Sequence, residues 1–117
     1  MSSRSDKESL EFILLMCTQI EEYLGEFEYI TKMLANHKSY NATLMCLLQI
    51  GETLNKLKLN YELLDKEDIK GAYNVRNFIA HDYMGVDLGL IEFILREKLP
   101  ILRKTIESII NKNTETK

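Results

Sequence analysis

The sequence predicts an all-α protein, a small antiparallel bundle of four to five helices. Three observations predict it. Apolar residues recur at helical spacing almost throughout. Only five glycines and one proline punctuate the chain. No strand-like alternation runs longer than a few residues, and no internal repeat is visible.

The first helix starts near Ser5. Ser5 and Glu8 have capping-box spacing, so hydroxyl and carboxylate can satisfy backbone N–H groups at the helix start. Leu10, Ile13, Leu14, Cys17, Ile20, Leu24 and Phe27 then form one apolar stripe. Gly25 marks its end or a weak point. A second, shorter helix covers Phe27 to Ala35, and Asn36-His37-Lys38-Ser39 reads as a loop. The third helix carries Leu44, Leu47, Leu48, Ile50, Leu54 and Leu57. Gly51 lies inside it at a cost of roughly 1 kcal/mol against alanine, which points to close helix–helix approach. Asp65 is a good N-cap for the fourth helix. Met84-Gly85-Val86-Asp87 breaks that helix, and Asp87 can cap the fifth. The fifth runs from about Leu88 to Asn111, with a kink expected at Pro100.

Residues 1–117 have the length of one domain, with 1–6 and 112–117 expected to fray. A chain this small buries a modest share of its surface, so a partner subunit would be useful. Hydrophobic content of 45% and charged content of 28% are ordinary for a globular protein. There is no apolar run of ~18 residues, and the first twelve residues lack the apolar centre of a signal peptide. Cys17 and Cys46 fit neither a disulfide framework nor zinc spacing and read as core residues. A cytoplasmic protein without a membrane partner is the expectation. The net charge of −3 and pI of 5.4 exclude a broad basic footprint. Any nucleic-acid role must rest on a local site.

The stretch VRNFIAHDYMGVD, Val75 to Asp87, holds the chemistry. On a helix turning about 100° per residue, with Arg76 at zero, Phe78, Val75, Ile79 and Ala72 fall between about 200° and 320°. That arc is expected to face the core. Arg76, Asn74, Asn77 and His81 fall between about 0° and 160°, on a solvent or partner face. Asn77 and His81 are one turn apart, and Arg76 and Tyr83 nearly align. Histidine titrates near neutrality and can move protons. Arginine offers a fixed charge and a planar fork suited to phosphate oxygens. These are the parts for phosphodiester chemistry with a ribose 2′-hydroxyl as nucleophile, and no metal is required. The same residues also fit a plain structural role. The histidine then complements a helix C-terminus, and the arginine pairs with Asp82 or a neighbouring helix.

Arg76, four residues, His81, one residue and Tyr83 resemble the R-x4-H-x-Y motif of the HEPN superfamily. IGETLNKL in the third helix, DIKGAYNVRNFIAHDYMGVD in the fourth and LREKLPILRKTIESI in the fifth resemble its HepT-like branch, the toxin partner of minimal nucleotidyltransferases. The resemblance runs from about Glu8 to Ile110. One departure is Tyr73-Asn74-Val75, where the family often has a glycine–methionine pair; Gly71 stands further upstream. The resemblance implies a metal-independent endoribonuclease toxin with Arg76 and His81 as catalytic pair. Asn77 would support substrate or orient the histidine. Tyr83 would contact the site and accept AMP from the nucleotidyltransferase antitoxin. It also implies a homodimer in which two motifs meet across a cleft, with the fourth helix and the start of the fifth as the expected interface. RNA is the implied substrate, and no cofactor is implied.

The other candidates are weaker. His37 and His81 lack metal-binding spacing. Glu21-Glu22, Glu26 and Glu28 read as a solvated face, and Asp6-Lys7-Glu8 and Lys66-Glu67-Asp68 as first-turn charges. Tyr23, Tyr29, Tyr40, Tyr61 and Tyr73 are scattered without basic interleaving. Tyr73 is the one on the motif face, a candidate for RNA or dimer contact. Met16, Met33, Met45 and Met84 read as core filler. The rival functional reading is a non-catalytic helical module that binds a nucleotidyltransferase or a nucleotide. A third is a structural helical dimer in which Arg76 ties down a neighbouring carboxylate.

Overall fold

A computed structural model describes residues 5–115, with side chains through residue 112. All of its regular elements are helical. They are α1 (Asp6–Gly25), α2 (Ile30–Leu34), α3 (His37–Asn55), α4 (Lys66–His81), a 3-10 turn at Tyr83–Gly85, α5 (Leu88–Phe93), a π-helical stretch at Ile94–Lys98, and α6 (Leu99–Glu115).

The helix starts follow their caps. Ser5 Oγ accepts from Glu8 N while the Glu8 carboxylate accepts from Ser5 N, a complete capping box. Asp65 accepts from Glu67 N, and Asp87 accepts from Gly89 N and Leu90 N. Asn36-His37-Lys38-Ser39 is not a loop. Asn36 Oδ1 accepts from Ser39 N, so Asn36 is the N-cap and His37 opens α3. The polar run that reads as a loop is a first helical turn, where polar side chains serve the free N–H groups. The second helix is shorter than its expected Phe27–Ala35 span. Pro100 does not end the last helix. It has no N–H to offer Arg96 and its ring crowds that carbonyl. The chain widens just before it, and Leu99 N donates five residues back to Ile94 O. The frayed ends expected at 1–4 and 116–117 lie outside the described residues. Ser5 and Asp6 are tied in, and α6 runs past 112 to Glu115.

Long-range polar contacts define how the helices run. Asp6, at the start of α1, accepts from the backbone of Lys58 and Leu59 just beyond α3 and from the Tyr61 hydroxyl. Arg103, early in α6, meets Thr18 and both carboxylate oxygens of Glu21 late in α1. Tyr83, just past α4, reaches Asn41 near the start of α3. The pairs α1–α3, α1–α6 and α3–α4 are therefore antiparallel. Glu21 is thus half of a cross-helix pair with Arg103 on α6, although its side chain stays 39% exposed.

The core is apolar and continuous through α1, α3, α5 and α6, with Ile13, Cys17, Ile20, Leu44, Ile91 and Ile106 fully enclosed. Burial pushes the Cys17 thiol up to about 12 and raises Cys46 too, so neither is a ready nucleophile. Met16 and Met33 fill core space, but Met45 and Met84 are exposed. α4 packs chiefly on α3. Between α4 and the chain from Leu90 to Thr105 lies an apolar groove of about 380 Å3. Leu63, Phe93 and Ile101 line it and are exposed.

Candidate functional site

The site is built on the α3–α4 contact. Gly51 makes that contact possible. A methyl group there would fall 2.8 Å from Arg76 Cβ and nearer still to the Ala72 carbonyl oxygen. Only a residue without Cβ lets the two backbones approach this closely.

That approach turns α4 relative to the expectation. The buried side carries Val75, Ile79, Ala72, Arg76 and Ile69, centred at about 320° on the wheel, with Ala72 and Arg76 against Gly51 of α3. Ile79 is buried, whereas Phe78 is 57% exposed. Phe78 was expected in the core arc, and Arg76 on the open face. Both expectations are corrected. With α3 as the chief partner, α4 buries a narrow strip, and the strip is placed by Gly51 rather than by the most apolar arc.

Arg76 is consequently enclosed by three contacts. Its Nε lies 2.7 Å from Glu52 Oε1 on α3. Both atoms are shut off from water and neither makes a hydrogen bond among the described residues, so the contact is a close ion pair and not an aligned hydrogen bond. The two side chains as wholes remain 29% and 28% exposed. The guanidinium also donates from Nη1 to Asn77 Oδ1 at 3.0 Å and sits 5.6 Å from the centre of the Tyr73 ring. Asp82 is not its partner. The Asp82 carboxylate caps the following 3-10 turn through Gly85 N.

His81 is the last residue of α4 and is exposed. Tyr83 lies just beyond and donates its hydroxyl to Asn41 Oδ1 at 2.5 Å. Burial, with Tyr83 close by, raises the Tyr40 phenol. The helix thus carries Arg76, Asn77 and His81, and the turn after it carries Tyr83. Arg76 is gripped by α3, and Tyr83 is moored to it. His37 opens α3 and belongs to no such group. Among the described residues no cluster of three or more His, Cys, Asp or Glu side chains could hold a metal ion.

Two partners escaped the sequence reading. Glu52 follows Gly51 directly, so a glycine read as a close-approach point could have flagged the neighbouring acid. Asn41 carries no local signal, because its link to Tyr83 spans 42 residues.

An all-helical bundle with an arginine, a histidine and a tyrosine at R-x4-H-x-Y spacing on one helix end defines the class of protein. The chain belongs to the Ribonuclease HepT-like family, which matches residues 13–109. A protein of Methanocaldococcus jannaschii that carries the name "Putative RNase" is 26% identical over 110 residues, spanning 93% of this chain and all of that one. No solved structure matches. No helix among the described residues is long and apolar enough to cross a membrane.

Proposed function

We propose that the protein is a metal-independent endoribonuclease that acts as the toxin of a pair with a minimal nucleotidyltransferase. The observation that carries this reading is the family match, which contains the whole Arg76–Tyr83 segment. The named relative supports it from outside the motif, since it aligns over nearly the full chain.

The reaction is attack by a ribose 2′-oxygen on the adjacent phosphorus. An O2′–P bond forms and the P–O5′ bond breaks. His81 accepts the 2′-hydroxyl proton, and a proton returns to the departing 5′-oxygen. Arg76 stabilises the charge that builds on the non-bridging oxygens. The products are a 2′,3′-cyclic phosphate and a free 5′-hydroxyl. Asn77 holds one guanidinium donor in place. Tyr83 is the acceptor of AMP from the antitoxin, with pyrophosphate leaving ATP. An AMP group on its oxygen removes the proton now donated to Asn41.

The working form is a homodimer, placed in the cytoplasm with its antitoxin. Support for the dimer comes from apolar surface that one copy leaves open, namely the groove with Leu63, Phe93 and Ile101 and the exposed Phe78, Met84 and Leu88 around the motif.

The test is RNA cleavage by the purified protein in excess EDTA, wild type beside His81→Ala. Intact mass is recorded so that an AMP-blocked Tyr83 is recognised. Cleavage by unmodified wild type and none by the variant supports the reading. An unmodified wild type that leaves several RNA pools intact gives the lead to the non-catalytic binding module.

A second reading is favoured by one contact. The Arg76–Glu52 ion pair also fits a purely structural role, with Arg76 tying α4 to α3 within the chain. In that case Arg76→Ala lowers thermal stability and no activity is lost.

A further inference from the structure

We propose that Glu52 is a positioning residue for the reaction, holding Arg76 by Nε so that the far edge of its guanidinium is presented to the scissile phosphate. The proposal rests on the ribonuclease reading above and adds to it a residue outside the motif.

A guanidinium has five N–H donors, one on Nε and two on each terminal nitrogen. Glu52 faces Nε at 2.7 Å, and Asn77 takes one Nη1 donor. The Tyr73 ring covers the plane at 5.6 Å. The Nη2 donors and the second Nη1 donor make no hydrogen bond among the described residues, and Nη1 and Nη2 together form the edge away from Nε. That edge matches the paired oxygens of a phosphodiester. A free arginine would sample many rotamers before offering it. Here the side chain is fixed at its root by α3, and Gly51 brings the carboxylate within reach.

Glu52 has a cost as well as a use. Its charge offsets part of Arg76's attraction for an anion. A carboxylate in that place helps only if orientation matters more than net charge. Orientation counts most in the transition state, where a misplacement of ~1 Å costs about 10²-fold. Glu52 itself moves no proton.

The experiment compares wild type, Glu52→Ala and Glu52→Gln in steady-state RNA cleavage across pH, beside the 15N spectrum of the arginine Nε–H groups. Glu52→Ala is expected to lower kcat by roughly 10- to 100-fold with KM within about twofold. The pH profile keeps its shape, and a distinct slowly exchanging Nε–H signal disappears. Glu52→Gln retains an acceptor and is expected to recover most of kcat and of that signal. It also serves where the alanine variant fails to fold. The proposal is overturned if Glu52→Ala cuts at the wild-type rate, if its loss lies in KM alone, or if Glu52→Gln cuts faster than wild type. If wild type itself leaves RNA intact, the ribonuclease reading falls and takes this role with it. If wild type cuts and both variants match it, the role of Glu52 alone falls.

Discussion

Glu52 Oε1 and Arg76 Nε meet at 2.7 Å, joining α3 to the helix that carries the motif. The pair sits where Gly51 lets the two backbones come together. It places the candidate active-site arginine in a structural contact and a chemical one at once, so its removal should register in two measurements.

Arg76→Ala is expected to lower cleavage by more than about 10²-fold. It should also destabilise the fold by about 1 kcal/mol, because the buried Oε1 of Glu52 loses its ion-pair partner while Oε2 keeps Lys56 at 3.5 Å. Thermal melting and cleavage assays on the same preparation check both. His81→Ala gives the contrast. The side chain is exposed, so stability should change by no more than about 0.5 kcal/mol. Cleavage should fall by about 10²- to 10⁴-fold. Equal losses of stability in the two variants would contradict this division.

Gly51→Ala should destabilise the protein by about 1–3 kcal/mol, although alanine is the better helix former. The new methyl collides with the Ala72 carbonyl and Arg76 Cβ, so α4 must move away. Gly71, whose added Cβ meets nothing within 4 Å, is the control. Gly71→Ala is expected to be neutral or stabilising by up to about 1 kcal/mol. Urea denaturation of both variants checks the difference in sign.

Asp6 ties α1 to the segment after α3. Burial alone would raise its pKa, but hydrogen bonds from Lys58 N, Leu59 N and the Tyr61 hydroxyl win and hold it below the ordinary 3.8. A carboxyl depressed in the folded state contributes stability above its unfolded pKa and loses it as pH falls through the folded one. Asp6→Ala is therefore expected to cost about 1–2 kcal/mol near pH 7. The gap to wild type should narrow below pH 3.8. Melting curves of both proteins across the acid range read this directly. A gap that stays constant into strong acid would count against the ionised clamp.

Ile101→Arg places a charge in the open apolar groove, where Ile101 is 61% exposed. If a second copy covers that groove, sedimentation should show a shift toward monomer, while the circular dichroism spectrum is retained. An unchanged sedimentation coefficient would move the interface elsewhere on the molecule.

Much of the fold is legible in local sequence. Ser5 with Glu8, Asp65 and Asp87 mark helix starts, because capping involves residues two or three apart. The same local chemistry misleads at Asn36–Ser39, where a cap and a first turn have the composition of a loop. Phe78 misleads for another reason. The wheel ranks faces by apolarity, but the buried strip of α4 lies where Gly51 receives it.

The sequence by itself determined the helical class, most helix boundaries, the R-x4-H-x-Y spacing and hence the family, since these depend on residues within a few turns of one another. Only the tertiary structure decided that Arg76 belongs to Glu52, that Tyr83 belongs to Asn41, and that Asp6 and Arg103 bind separate helices together. The physical reason is distance along the chain. Each of those contacts exists only after packing has brought remote side chains within about 3 Å, and no periodicity in the sequence encodes which one will be there.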